Sequence, residues 1–205
     1  MLQFRYWIFD LDGTLIDAPL AFAAIRAELG VPPGEDILSY LDTLPAAESS
    51  LRHHRLRAIE MEAAKVSQAL KGAKSLLAWL VGQGCQLGIL TRNHQEAAWH
   101  GLQRCGLAEF FRPEAVLCRE RARPKPDPSG IQQLVQSWQA PTEQTLMVGD
   151  YLYDLQAGRR AGVSTALINQ EPHWQPWWDY YQPGLTELHQ RLLKLQAHAL
   201  KAQPS

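Results

Sequence analysis

In the stretch Phe4 to Asp17, FRYWIFDLDGTLID, the short apolar run Tyr6 to Phe9 stops abruptly at two carboxylates, Asp10 and Asp12, spaced i, i+2 and followed by Gly13. The run has the β-propensity of a buried strand, and in open α/β sheets the carboxyl edge of the strands is where ligands bind. Gly13 lets the chain turn sharply enough for amides to approach an anion. Three later strand ends or loops carry comparable groups. Gln86 to Leu90 ends in Thr91-Arg92-Asn93, where a hydroxyl and successive amides at a strand-to-helix turn can hold a phosphate. Arg123 to Pro128 sets Lys125 inside a bracket of prolines, and a rigid ammonium is useful where charge must be neutralised at a fixed point. Thr145 to Val148 ends in Gly149-Asp150, with Asp154 four residues on, so that both carboxylates share one face of the first helical turns. Taken singly each group has a plainer reading: a turn, an N-cap, a solvated lysine, acids complementing a helix dipole. Asp127 is read in that plainer way, as the N-cap of the helix that follows, with Pro128 at its first position.

The string DLDGTLID resembles the first motif of the haloacid-dehalogenase-like hydrolase superfamily, and Thr91, Lys125 and the GDxxxD of Asp150 and Asp154 resemble its second, third and fourth motifs in order. The resemblance implies a magnesium-dependent phosphatase acting on a small phosphate monoester. It makes Asp10 the nucleophile that forms an aspartyl-phosphate, Asp12 the general acid/base, and Lys125 the screening charge. Thr91 and Gly13 would hold the phosphate, with Arg92 as a further candidate. Mg2+ would be bound by Asp10, the backbone carbonyl of Asp12, Asp150 and waters, with Asp154 ligating directly, through water or from behind. Retention of Asp12 argues against a dehalogenase, and Thr14 resembles the phosphatase form of the motif more than the phosphomutase form. A helical insertion directly after the first motif is similar to that of phosphoglycolate-phosphatase-like members, which suggests phosphoglycolate or a similar metabolite. Two alternatives stay open: a non-hydrolytic magnesium- and phosphate-binding regulator, and a sugar phosphomutase of the same superfamily.

Positioning these groups requires a doubly wound, Rossmann-like α/β fold, because strands alternate with helices from Gly72 onward. Helices are expected at Lys74 to Val81, His94 to Cys105, Pro128 to Trp138, Leu152 to Ala161 and from Leu185, with strands at Gln86 to Leu90, Val116 to Cys118, Thr145 to Val148 and Thr165 to Ile168. No strand signal occurs in residues 18–71. That segment reads as a small helical cap, with helices over Ala18 to Leu29 and Pro45 to Leu70, inserted into a core of residues 1–17 and 72–205. In the longer helix Leu56, Ile59, Ala63, Val66 and Leu70 form an apolar stripe. Residues 201–205 are expected to fray.

A net charge of −1 excludes binding to nucleic acid by phosphate neutralisation, and no apolar run approaches the length of a membrane span. Cys85, Cys105 and Cys118 show no metal-ligand spacing and read as reduced, mostly buried thiols of a cytoplasmic protein. The basic cluster Arg52 to Arg57 is read as a solvated helix face. The aromatic segment Glu171 to Tyr181, EPHWQPWWDYY, is read as packing, with a wall of the site or a partner surface as alternatives. Oligomeric state is not encoded in any of these features.

Overall fold

Trp7 and Phe9 of the first strand point to one side and Ile8 to the other, and all three are fully buried. A strand apolar on both faces needs helices on both, and that requirement organises the chain. The computed structural model describes residues 1–201. Strand β1 (Tyr6–Phe9) lies between β4 (Gln86–Leu90) and β6 (Thr145–Gly149), parallel to both, within a six-stranded sheet ordered β5-β4-β1-β6-β7-β8. Here β5 is Val116–Leu117, β7 is Ser164–Ile168 and β8 is Tyr180–Gln182; β2 (Ile16–Asp17) and β3 (Gln68–Ala69) form a separate antiparallel ribbon.

Helices α4 (Ala73–Gly82), α5 (Gln95–Arg104) and α8 (Leu185–Lys201) cover the face that carries Trp7, Phe9, Ile89 and Val148. Helices α6 (Ser129–Trp138) and α7 (Leu152–Arg160) cover the face of Ile8, Leu90 and Met147. This is the doubly wound arrangement. All pairings in the large sheet are parallel, so the residues that follow β1, β4 and β6 emerge at one edge.

Between β2 and β3 the chain forms α1 (Phe22–Glu28), α2 (Ile37–Asp42) and α3 (Ala46–Val66). These three share an apolar cluster of Ile25, Leu29, Val31, Ile37, Leu38, Leu41 and Leu56.

Several elements differ from the sequence expectation. The first helix starts at Phe22 instead of Ala18, and no side chain caps it. The long helix stops at Val66; Ser67 is extended and opens β3, so Leu70 leaves the helical stripe and packs on the main core, while Val66 is 56% exposed. The aromatic segment contributes a strand: β8 pairs with β7, and Tyr180 packs edge-on against Phe4 at 5.6 Å. Asp127 Oδ1 accepts from Ser129 N (2.9 Å), although α6 begins one residue later than expected, after Pro128. Of the three thiols only Cys118 is fully buried, and burial pushes it up to about 12. The basic cluster is used among α1 to α3, where Arg52 meets Glu48 (2.5 Å), His53 meets Asp42 (2.9 Å) and Arg55 meets Glu28.

Candidate active site

Asp10 continues β1 with its N–H donating to Val148 O (2.9 Å), and Thr91 continues β4 in the same way to Leu117 O (3.0 Å). Extension of the ladder by one residue places both side chains at the carboxyl edge of the sheet. They line a cavity of about 430 Å³ together with Asp12, Arg92, Lys125, Asp150 and Asp154. Every sequence-predicted side chain therefore reaches one place, although in sequence they are scattered from Asp10 to Asp154.

Asp10, Asp150 and Asp154 converge so that one oxygen from each lies within 4.8 Å of the others. Lys125, almost wholly buried, reaches into this cluster and ion-pairs with Asp10 and, at 2.7 Å, with Asp154. Burial alone would lower the lysine pKa, but the two carboxylates outweigh it and the net shift is upward. Asp10 is pushed well above the usual carboxylate range, by burial first and by repulsion from Asp154 and Asp150, with Lys125 opposing. Asp150 is raised to about 6, through burial and then Asp154, against the hydrogen bond from Thr14. Three carboxylates sharing one ammonium remain short of positive charge. A hard cation with oxygen ligands fits that deficit, and the donor set is of the kind magnesium takes.

Asp12 stands outside the cluster. Its Oδ2 accepts from Asn93 Nδ2 (3.2 Å), while Oδ1, shielded from solvent, has no hydrogen-bond partner among the described residues. Burial raises its pKa to about 6, Asn93 opposes the rise, and Glu60 adds to it.

Gly13, expected to offer an amide to an anion, donates that N–H to Ile16 O (2.8 Å) within the turn. Its φ of +82° suits glycine, and a Cβ there would fall on the Asp150 carboxylate. The following Thr14 is buried and donates to Asp150 Oδ1 (2.9 Å), so the turn sets the position of Asp150. Arg92 lines the cavity with its guanidinium already engaged by Asp36 Oδ2 (2.5 Å) and Lys125 O (2.5 Å), and 4.9 Å over the Tyr153 ring. It holds the lysine loop and α2. Asp154 has both oxygens in use, Oδ1 on Lys125 and Oδ2 on Tyr151 N (3.0 Å).

Sequence reading missed three supports. Asn93 orients Asp12 and accepts from His94 N (2.8 Å). Asn169, at the end of β7, donates to Gly13 O (2.8 Å). Glu60 of α3 is buried against Arg119 (2.5 and 2.8 Å) and His94 Nδ1 (2.8 Å), tying α3 to the sheet side. Asn93 and Asn169 each left a signal, as polar residues at strand ends, whereas Glu60 left none.

The family model described as haloacid dehalogenase-like hydrolase matches residues 7–168, from β1 through β7 and so across all four groups. The chain belongs to the haloacid dehalogenase-like hydrolase family. Among its relatives, the uncharacterized hydrolase YOR131C of Saccharomyces cerevisiae is 31% identical over 78% of this chain and 75% of its own. The N-acetylmuramic acid 6-phosphate phosphatase of Pseudomonas aeruginosa is 31% identical over 82% of each chain, and pyrophosphatase PpaX of Halalkalibacterium halodurans is 30% identical over 78% and 81%. A hydrolase from Pseudomonas syringae shares the fold with a TM-score of 0.76 at 20% identity, over 93% of this chain and 99% of that one. This chain is thus a hydrolase of the family, and those of its relatives just described with a named activity cleave phosphate esters or anhydrides.

Proposed function

We propose that this chain is a magnesium-dependent phosphatase that hydrolyses a small phosphate monoester through an aspartyl-phosphate on Asp10. The observation that carries the reading is the contrast between two carboxylates two residues apart. Asp10 sits in a cluster that a cation would complete, which keeps it ionised; Asp12 sits apart, with a free oxygen and a pKa raised to about 6. One serves as a nucleophile while the other carries a proton.

Asp10, Asp150 and the backbone carbonyl of Asp12 would hold Mg2+, which when bound supplies positive charge to the phosphoryl oxygens and the nucleophile. Lys125, kept charged and oriented by Asp154, screens the same oxygens, and Thr91, whose Oγ1 accepts from Asn93 N (3.1 Å), has its hydroxyl proton to donate. Asp10 attacks phosphorus, the bond to the alcohol oxygen breaks, and Asp12 gives its proton to that oxygen. Asp12, now ionised, takes a proton from water; the resulting hydroxide attacks phosphorus, and the bond to Asp10 breaks to restore the carboxylate.

Residues 18–71 act as a cap on a core of residues 1–17 and 72–205, of which 202–205 lie outside the described residues. Supporting this are the separate apolar cluster of α1 to α3 and a cavity lined from both sides. Unpaired thiols favour a reducing compartment such as the cytoplasm, and among the described residues no helix is long and apolar enough to cross a membrane.

Phosphate release from a metabolite panel, with magnesium and with chelator, tests the reading. Release that needs the metal and falls at least about 10³-fold in folded Asp10→Asn is expected. A protein that binds magnesium and phosphate but releases nothing would be the regulator instead.

A further inference from the structure

On the phosphatase reading above, we propose that the leaving group is an alcohol bearing a flat apolar ring, held between Phe22 of the cap and Tyr151 at the start of α7. Both side chains line the cavity, yet they are 55% and 51% exposed. Single exposed apolar residues are ordinary; two aromatics brought to one cavity from separate parts of the chain form surface that a ligand can bury.

Tyr151 is also held in place. Tyr153 meets it edge-on at 5.1 Å and Trp174 at 5.3 Å, and His173 packs on Trp174 at 5.8 Å. The aromatic segment after β7 thereby gains a use besides covering the sheet: it buttresses one wall. A ring fixed in this way loses little freedom when a second ring stacks on it.

Charge around this wall is largely paired. Asp36 and Glu60 line the cavity, and each is already paired, Asp36 with Arg92 and Glu60 with Arg119. Arg26, whose Nε donates to Glu35 O (3.3 Å), is the single lining cation without an acidic partner among the described residues. Arg26 is thus the charge that a second anionic group on the leaving group would meet, so Arg26→Gln separates recognition of charge from recognition of the ring.

The test compares 3-phenylpropyl phosphate with propyl phosphate under magnesium, with phosphoglycolate and pyrophosphate alongside. The two alcohols have nearly equal acidity, so the ratio of their kcat/KM reads binding of the ring and not bond breaking. A ratio of about ten or more is expected, carried by KM. Phe22→Ala and Tyr151→Ala should each move it towards one, while Tyr151→Phe keeps it. Because the ratio is internal to each variant, a loss of folded protein cancels. A ratio near one in the unaltered protein overturns the proposal. So does a preference for phosphoglycolate or pyrophosphate that Arg26→Gln removes. No release from any ester by folded protein overturns the phosphatase reading itself, and the ring pocket with it.

Discussion

Asp12 and Asp150 owe their raised pKa values of about 6 first to burial, and this has a consequence for stability without metal. A carboxylate with a folded pKa above its unfolded value binds protons more tightly in the native state, so its contribution is full below about pH 4 and is lost as pH rises through about 6. In chelator, melting temperature should therefore fall between pH 5 and 7, and Asp150→Asn should flatten that part of the profile; a profile that rises there with no effect of the variant would contradict it. The proton on Asp12 also bears on turnover. Asp12→Asn should slow an alkyl phosphate by about 10²–10⁴-fold, and an aryl phosphate with a good leaving group less in the first step. Lacking the base, that variant should accumulate phosphoenzyme, seen as a burst of phenol of about one equivalent in rapid-quench measurements. Lys125→Ala should cost on the order of 10²–10³ in kcat, because no other ammonium reaches the cluster among the described residues.

Among elements, α3 is joined to the sheet side through one buried carboxylate, Glu60, which faces Arg119 and His94. Glu60→Ala would leave a buried guanidinium without its partner, and urea unfolding should show a loss of about 3–5 kcal/mol. An effect within about 0.5 kcal/mol would mean that water replaces the pair. Glu60 also shows where sequence reading ends. β4 and the strand ends around the site were legible because apolar periodicity and the spacing of Asp10, Asp12, Asp150 and Asp154 are local. The partners of Glu60 lie 34 and 59 residues away, and a glutamate on a helix looks the same in sequence whether solvated or buried. The ribbon β2–β3 was hidden for a different reason, since two-residue strands carry no periodicity. Strand β8 lay inside an aromatic run whose prolines suggested a loop. Arg92 was legible as a cavity residue, but its engagement by Asp36 depends on how α2 is folded.

For the whole molecule, a cation that binds only the folded site should stabilise it by about 2.7 kcal/mol at a hundredfold excess over Kd. Magnesium should raise the melting temperature at pH 7.5 with a concentration dependence that disappears in Asp150→Asn; the same rise in that variant would place the ion elsewhere. The ribbon that pairs Ile16 with Ala69 and Asp17 with Gln68 has a further consequence for the molecule as a whole. Both ends of the intervening segment are pinned side by side, so to the remainder of the chain it is one closed loop. The entropy of closing such a loop grows only logarithmically, by about 0.6 kcal/mol for each doubling of its length. Insertions of very different size can hang from the same two strands at almost equal cost to the sheet, which leaves this region free to be exchanged in evolution or by design while the chemistry beneath it is kept.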